Sequence, residues 1–95
     1  MTLAMSEPDL EYRRRRLLYR ACHRGTHEND LLIGGYVRHH LANLDDAAIA
    51  ALEEVLDLPD ADLADWLVGR LPVPARFGSP MLRAICAFAR GERRW

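Results

Sequence analysis

The feature that most constrains this chain is its punctuation. Apolar residues recur at three- and four-residue spacing, and each such run is bracketed by residues that start or stop helices. No window alternates apolar and polar side chains as a half-buried strand must. A first helix is predicted from Ser6 as N-cap, with Pro8 and Asp9 in its opening turn, through Leu10, Leu17, Leu18 and Ala21. It stops at Gly25, a residue suited to the left-handed position just past a helix end. Thr26 then caps a second helix with Glu28 and Asp30 in its first turn and Leu31, Leu32, Tyr36 and Leu41 as its apolar set. Gly34 and Gly35 lie in the middle of that helix, each about 1 kcal/mol worse than alanine there. Their presence implies the close approach of a neighbouring helix. Asp45 caps a third helix with Ala48, Leu52, Val55 and Leu56. Pro59 and Asp60 mark a turn before a short fourth helix bearing Leu63, Trp66 and Leu67. Leu71-Pro72-Val73-Pro74 cannot be helical, and Ser79-Pro80 opens a fifth helix with Leu82, Ile85, Cys86 and Ala89 on one face. The fold expected is all-α, a single-domain bundle of five short helices over residues 1–95, packed over about 8–90, with both ends frayed.

Size and charge then exclude several functions. Ninety-five residues make one domain, too small for a two-domain enzyme or a large enclosed cofactor pocket. Thirteen basic residues, all arginine, nearly balance 14 acids, which argues against a dedicated nucleic-acid binder. No run reaches the ~18–20 apolar residues of a membrane span, and the N-terminus has neither a secretory nor an acid-poor presequence pattern. A cytoplasmic protein is expected, starting at Met1 or Met5. Cys22 and Cys86 have no CxxC partner, so two reduced thiols are expected rather than a metal knuckle or redox pair.

The charges are segregated. Arg13, Arg14, Arg15, Arg16, Arg20 and Arg24 occupy a stretch without acids, whereas residues 45–65 hold eight acids and no base. Either the first and third helices dock through complementary faces, or each is a solvated face, or the arginines of the first helix, flanked by the basic C-terminal region, form a ridge that meets an acidic partner. No chemistry is organised by the remaining polar residues. His23 and His27 lack further ligands at fixed spacing, and no nucleophile stands beside a base and its orienter. One segment stands apart: Arg24-Gly25-Thr26-His27-Glu28-Asn29-Asp30. The turn needs its glycine for the backbone, but not Arg24 before it or Glu28 and Asp30 after it. By the residues alone this reads either as a helix C-cap followed by two acids that complement the helix dipole, or as a polar contact patch for a partner at a helix–helix corner.

Here the sequence resembles the SdhE family, bacterial counterparts of mitochondrial succinate dehydrogenase assembly factor 2. Its hallmark R-G-x-x-E, commonly followed by x-D, stands as Arg24-Gly25-Thr26-His27-Glu28-Asn29-Asp30. Arg16-Leu17-Leu18-Tyr19 is similar to the family's first-helix run, and Asp62-Leu63-Ala64-Asp65-Trp66-Leu67 to its D-L-x-x-W-L element. Thr26 replaces the usual hydrophobic residue and His23 a common basic one. The resemblance implies a five-helix fold and a flavinylation chaperone rather than an enzyme. Such a chaperone binds the flavoprotein subunit of succinate dehydrogenase, in some lineages that of fumarate reductase, and promotes covalent FAD attachment to a client histidine. The chemistry would belong to client and flavin, with the chaperone supplying orientation and holding no cofactor stably. It further implies a client-binding surface of Arg24, Gly25, Glu28 and Asp30, with Arg16 and Tyr19. Two rival readings are a helical nucleic-acid-binding regulator using the arginine ridge and a direct carrier of FAD. Salt dependence of binding distinguishes the first, and yellow colour in the purified protein the second.

Overall fold

Local rules set the helix boundaries that the computed structural model shows, and the model describes residues 7–92. Among them are five α-helices and no strand: α1 (Glu7–Cys22), α2 (His27–His40), α3 (Asp46–Leu56), α4 (Asp60–Leu67) and α5 (Pro80–Ala87). The expected Ser6 cap and the frayed extreme ends lie outside the described residues. Asp45 caps α3, its side chain accepting from the Ala48 N–H at 2.8 Å. Ser79 caps α5 in the same way, accepting from the Leu82 N–H at 3.1 Å, with Pro80 at the first helical position. The Leu71–Pro74 stretch is non-helical, as its two prolines require.

The helices enclose one apolar core. Helix α1 lies against α2 and α3, while α2 also meets α4 and α5. Leu17 and Ala21 of α1, Ile33 and Val37 of α2, and Ile49 and Leu52 of α3 are essentially sealed from solvent. Leu63, Leu67, Leu82 and Ile85 complete the packing from α4 and α5. Each such side chain contributes about 1.5–3 kcal/mol on burial, so a domain this small depends on nearly all of them. Cys86 is a buried free thiol donating to the Trp66 carbonyl at 3.8 Å, and burial pushes its pKa up. Cys22 is a half-buried free thiol.

Three local expectations are corrected. Helix α1 ends at Cys22, so Gly25 is not the residue just past the helix but lies further on, in the connecting loop 23–26. Its backbone is still left-handed, at φ +99°. Thr26 is extended and its side chain makes no capping bond, although its carbonyl accepts the Asp30 N–H at 2.9 Å. The buried face of α2 is Asn29, Ile33, Gly34, Tyr36 and Val37; Leu31 is 61% exposed and Leu41 starts a separate 3₁₀ turn. The reason is Gly34. A Cβ there would stand 2.7 Å from Cys22 Sγ, so contact with α1 fixes the rotation of α2. The pair of glycines does mark a close helix approach.

Candidate functional site

The R-G-x-x-E segment spans loop 23–26 and the first turn of α2, and its residues divide sharply by environment. Arg24 turns inward, its side chain only 10% exposed. Its Nε donates to Asp60 Oδ1 at 2.6 Å, and its two terminal nitrogens donate to the carbonyls of Leu56 (2.6 Å) and Leu58 (2.9 Å). One guanidinium therefore ties the α1–α2 loop to the end of α3, the α3–α4 turn and the start of α4. The planar fork of arginine suits this task, since three donors point at three fixed acceptors. The Arg24 backbone N–H in turn donates to Asp30 Oδ1 at 2.8 Å. Asp30 thus closes the loop onto α2 by clamping its backbone. The expectation that the turn does not need Arg24 or Asp30 is corrected by these bonds: the corner is built from them.

Two residues not singled out from the sequence complete the corner. Asp60 receives Arg24, and Asn29, fully buried, donates from Nδ2 to the Asp60 carbonyl at 3.0 Å. Asn29 Oδ1 has no hydrogen-bond partner among the described residues. The sequence shows Asp60 only as a turn and helix-start residue. Its pairing with a residue 36 positions away carries no local signal.

The remaining site residues face outward. Gly25 is exposed, and a Cβ at its position would meet nothing within 4 Å. Glu28 is exposed and makes no hydrogen bond or ion pair among the described residues. It borders a cleft of about 340 Å³ with Leu31, Leu32, Leu67, Val68, Ala89 and Arg90. Tyr19, 64% exposed, lies on the α1 side, stacked on His23 with ring centroids 4.1 Å apart. It borders a different cleft, of about 300 Å³, with Arg20, His23, Arg24 and Asp60. Arg16 is exposed and borders neither. The structure therefore joins Arg24, Gly25 and Asp30 in one corner, sets Glu28 beside it, and puts Arg16 and Tyr19 along α1.

The arginine ridge is likewise split. Arg13 pairs with Asp46 and with Glu53 (3.2 Å), Arg20 with Asp57 (3.3 Å), and Arg14 donates to the Leu44 carbonyl at 2.8 Å. Complementary docking of α1 on α3 and its flanks accounts for these cations. A continuous basic ridge does not exist. Among the described residues no group of three or more His, Cys, Asp or Glu could hold a metal, and no helix is long and apolar enough to cross a membrane.

This arrangement offers rigid presentation of a corner: a buried polar network behind, an exposed glycine and carboxylate in front. Comparison with known proteins gives it a context. The model of the Sdh5 family, described as flavinator of succinate dehydrogenase, matches residues 15–89. The FAD assembly factor SdhE of Acetobacter pasteurianus is 44% identical over 89 residues, covering 94% of this chain and 82% of the relative. The SdhE protein of Ralstonia nicotianae is 32% identical over 89 residues, covering 94% and 93%. The mitochondrial succinate dehydrogenase assembly factor 2 of Mycosarcoma maydis is 42% identical over 62 residues, which are 65% of this chain but only 26% of that longer protein. The match takes in the loop, the Arg24 corner and all but the N-terminal part of the helical core, and on that evidence the chain belongs to the Sdh5 family of succinate dehydrogenase flavinators.

Proposed function

We propose that this chain is an FAD assembly factor that binds the flavoprotein subunit of succinate dehydrogenase and promotes covalent attachment of FAD to a histidine of that subunit. The fumarate reductase flavoprotein is a second client of the same kind. The observation that supports this reading most directly is the divided R-G-x-x-E segment. Arg24 and Asp30 are consumed in fixing the corner, whereas Gly25, whose part in it is the left-handed backbone alone, and Glu28 in the first turn of α2 stand exposed. A rigid corner presenting a carboxylate that has no partner among the described residues is what a docking surface requires, because little ordering entropy remains to be lost on binding. Exposed Arg16 and Tyr19 extend the client surface along α1. Bond formation between the client histidine and the flavin belongs to the client. The chain acts by holding the client in a reactive geometry, an effect of orientation, without catalysing the step or keeping a cofactor of its own. It works in the cytoplasm, where the client is assembled.

The test is covalent flavin on the client. The flavoprotein subunit is produced in cells lacking their own assembly factor, with and without this chain, and flavin fluorescence is read from the denatured subunit on a gel. Fluorescence that depends on the chain is expected. Equal flavinylation with and without it, at matched client levels, overturns the reading.

A further inference from the structure

Helix α1 has a second charged face that the fold does not use. Tyr12, the adjacent Arg15 and Arg16, Tyr19 and His23 are related by three- and four-residue spacings and so form one stripe, exposed along its length. Unlike Arg13, Arg20 and Arg24, the outer Arg15 and Arg16 have no ion pair among the described residues. At the loop end of this stripe, His23 Nδ1 is bonded to the Tyr19 carbonyl at 2.8 Å and the two rings stack 15° from parallel. This makes a fixed flat platform on an otherwise mobile class of surface side chains.

Beside the platform is a cleft of about 290 Å³ lined, besides Tyr19 and His23, by Arg15, Leu18 and Cys22 of α1 and Arg38 of α2. Arg38 reaches it because the Gly34 contact, one turn earlier, brings α2 against Cys22. Among the described residues the Arg38 guanidinium meets Cys22 Sγ alone, at 3.5 Å, a weak acceptor. Among the described residues no carboxylate lines the cleft. Two guanidinium groups thus face a partly apolar depression without a counter-charge, which favours an incoming anion held by bidentate hydrogen bonds.

We infer that this outer face of α1 is a second docking surface, for an acidic segment of the flavoprotein client: one client carboxylate enters between Arg15 and Arg38, and the neighbouring client side chain lies on the Tyr19–His23 platform. The inference rests on the proposed function and names the chemistry of the partner. Three observations favour a protein over a nucleic acid. The cleft is the size of one or two side chains, at the lower limit for a drug-sized ligand. Among the described residues Arg15, Arg16 and Arg38 alone remain without an acidic partner on this face, too few for the 6–10 phosphate contacts of a typical nucleic-acid site. The platform ends at His23, the first residue of the loop that presents Gly25, so the two surfaces are continuous.

The experiment measures binding of the full chain to the purified apo flavoprotein subunit by calorimetry at low and moderate salt. The variants are Arg15→Gln/Arg38→Gln, Arg15→Glu/Arg38→Glu and Glu28→Gln, each checked by circular dichroism. We expect the double Gln variant to melt with the wild type, to bind about tenfold or more weakly, and to lose part of the salt dependence. Charge reversal should weaken binding further. Wild-type affinity (within twofold) in a folded double Gln variant overturns this inference and leaves the proposed function standing. Failure of the wild type to bind the subunit overturns both. Salt-sensitive binding of a 20-base-pair duplex that only the double variants lose assigns the face to phosphates and also overturns it.

Discussion

The two ends of the R-G-x-x-E segment, four residues apart, have opposite fates. Arg24 is buried against one carboxylate and two carbonyls, whereas Glu28 faces outward with no described partner. The same division runs along α1, where inward arginines are neutralised by α3 and its flanks while the outward ones are not. A short motif can therefore hold residues kept for two separate physical reasons. One set builds the shape of the loop, and the other is presented by it. Mutations that unfold the corner and mutations that blunt the surface should both abolish function, but only the first should change stability.

The largest stability effect should come from Arg24. Replacing it by alanine leaves Asp60 and two carbonyls without their donor, a loss of about 3 kcal/mol and a melting temperature lower by more than 10 °C in a domain this size. Thermal unfolding that moves by only a degree or two would mean that the corner holds without its staple. Gly34→Ala comes next, at about 1–3 kcal/mol, because its Cβ would overlap Cys22 Sγ. Adding Cys22→Ala removes that sulfur, so the double variant should recover most of the loss. A double variant no more stable than Gly34→Ala would show that the helix approach is limited elsewhere. Gly25→Ala should cost about 1 kcal/mol through its positive φ alone, since the added methyl meets open space. Gly25→Arg should show a similar loss of stability together with loss of flavinylation, as its side chain projects over the presented loop.

Glu28→Gln sharpens the comparison from the other side. As an exposed acid near a helix start its charge is worth about 0.3–1 kcal/mol, so the variant should melt within a few degrees of wild type yet fail to support covalent flavin attachment. Full flavinylation by folded Glu28→Gln, at limiting client, would reduce this carboxylate to a dipole-complementing residue. The smallest effect concerns pH and should touch neither half of the motif. Burial raises the pKa values of the Tyr36 phenol and the Cys86 thiol, the latter opposed by Arg90. The unfolded chain therefore gives up these protons at lower pH than the folded one, from about 8.5 for cysteine and 10 for tyrosine. Their contribution should be fully present at neutral pH and fall as pH rises through the alkaline range. Denaturation midpoints at pH 7 and pH 9.5 check the sign, and Cys86→Ala should reduce the slope.

Much of this molecule was determined by local sequence. Asp45 and Ser79 cap their helices, Pro72 and Pro74 interrupt, and the stripes Leu63–Trp66–Leu67 and Leu82–Ile85–Cys86 face the core, because these rules act over one or two turns of chain. The resemblance carried by Arg24, Gly25 and Glu28 was legible for the same reason, being contiguous. The tertiary structure decided the rest. It set which face of α2 is buried, through a 2.7 Å conflict at Gly34 that no periodicity shows, and so left Leu31 exposed and buried Asn29. It also decided which arginines of α1 are free, since that depends on carboxylates and carbonyls 30 to 40 residues away. Charge and hydrophobicity are properties of residues, but neutralisation and burial are properties of pairs, and distant pairs exist only once the chain has folded.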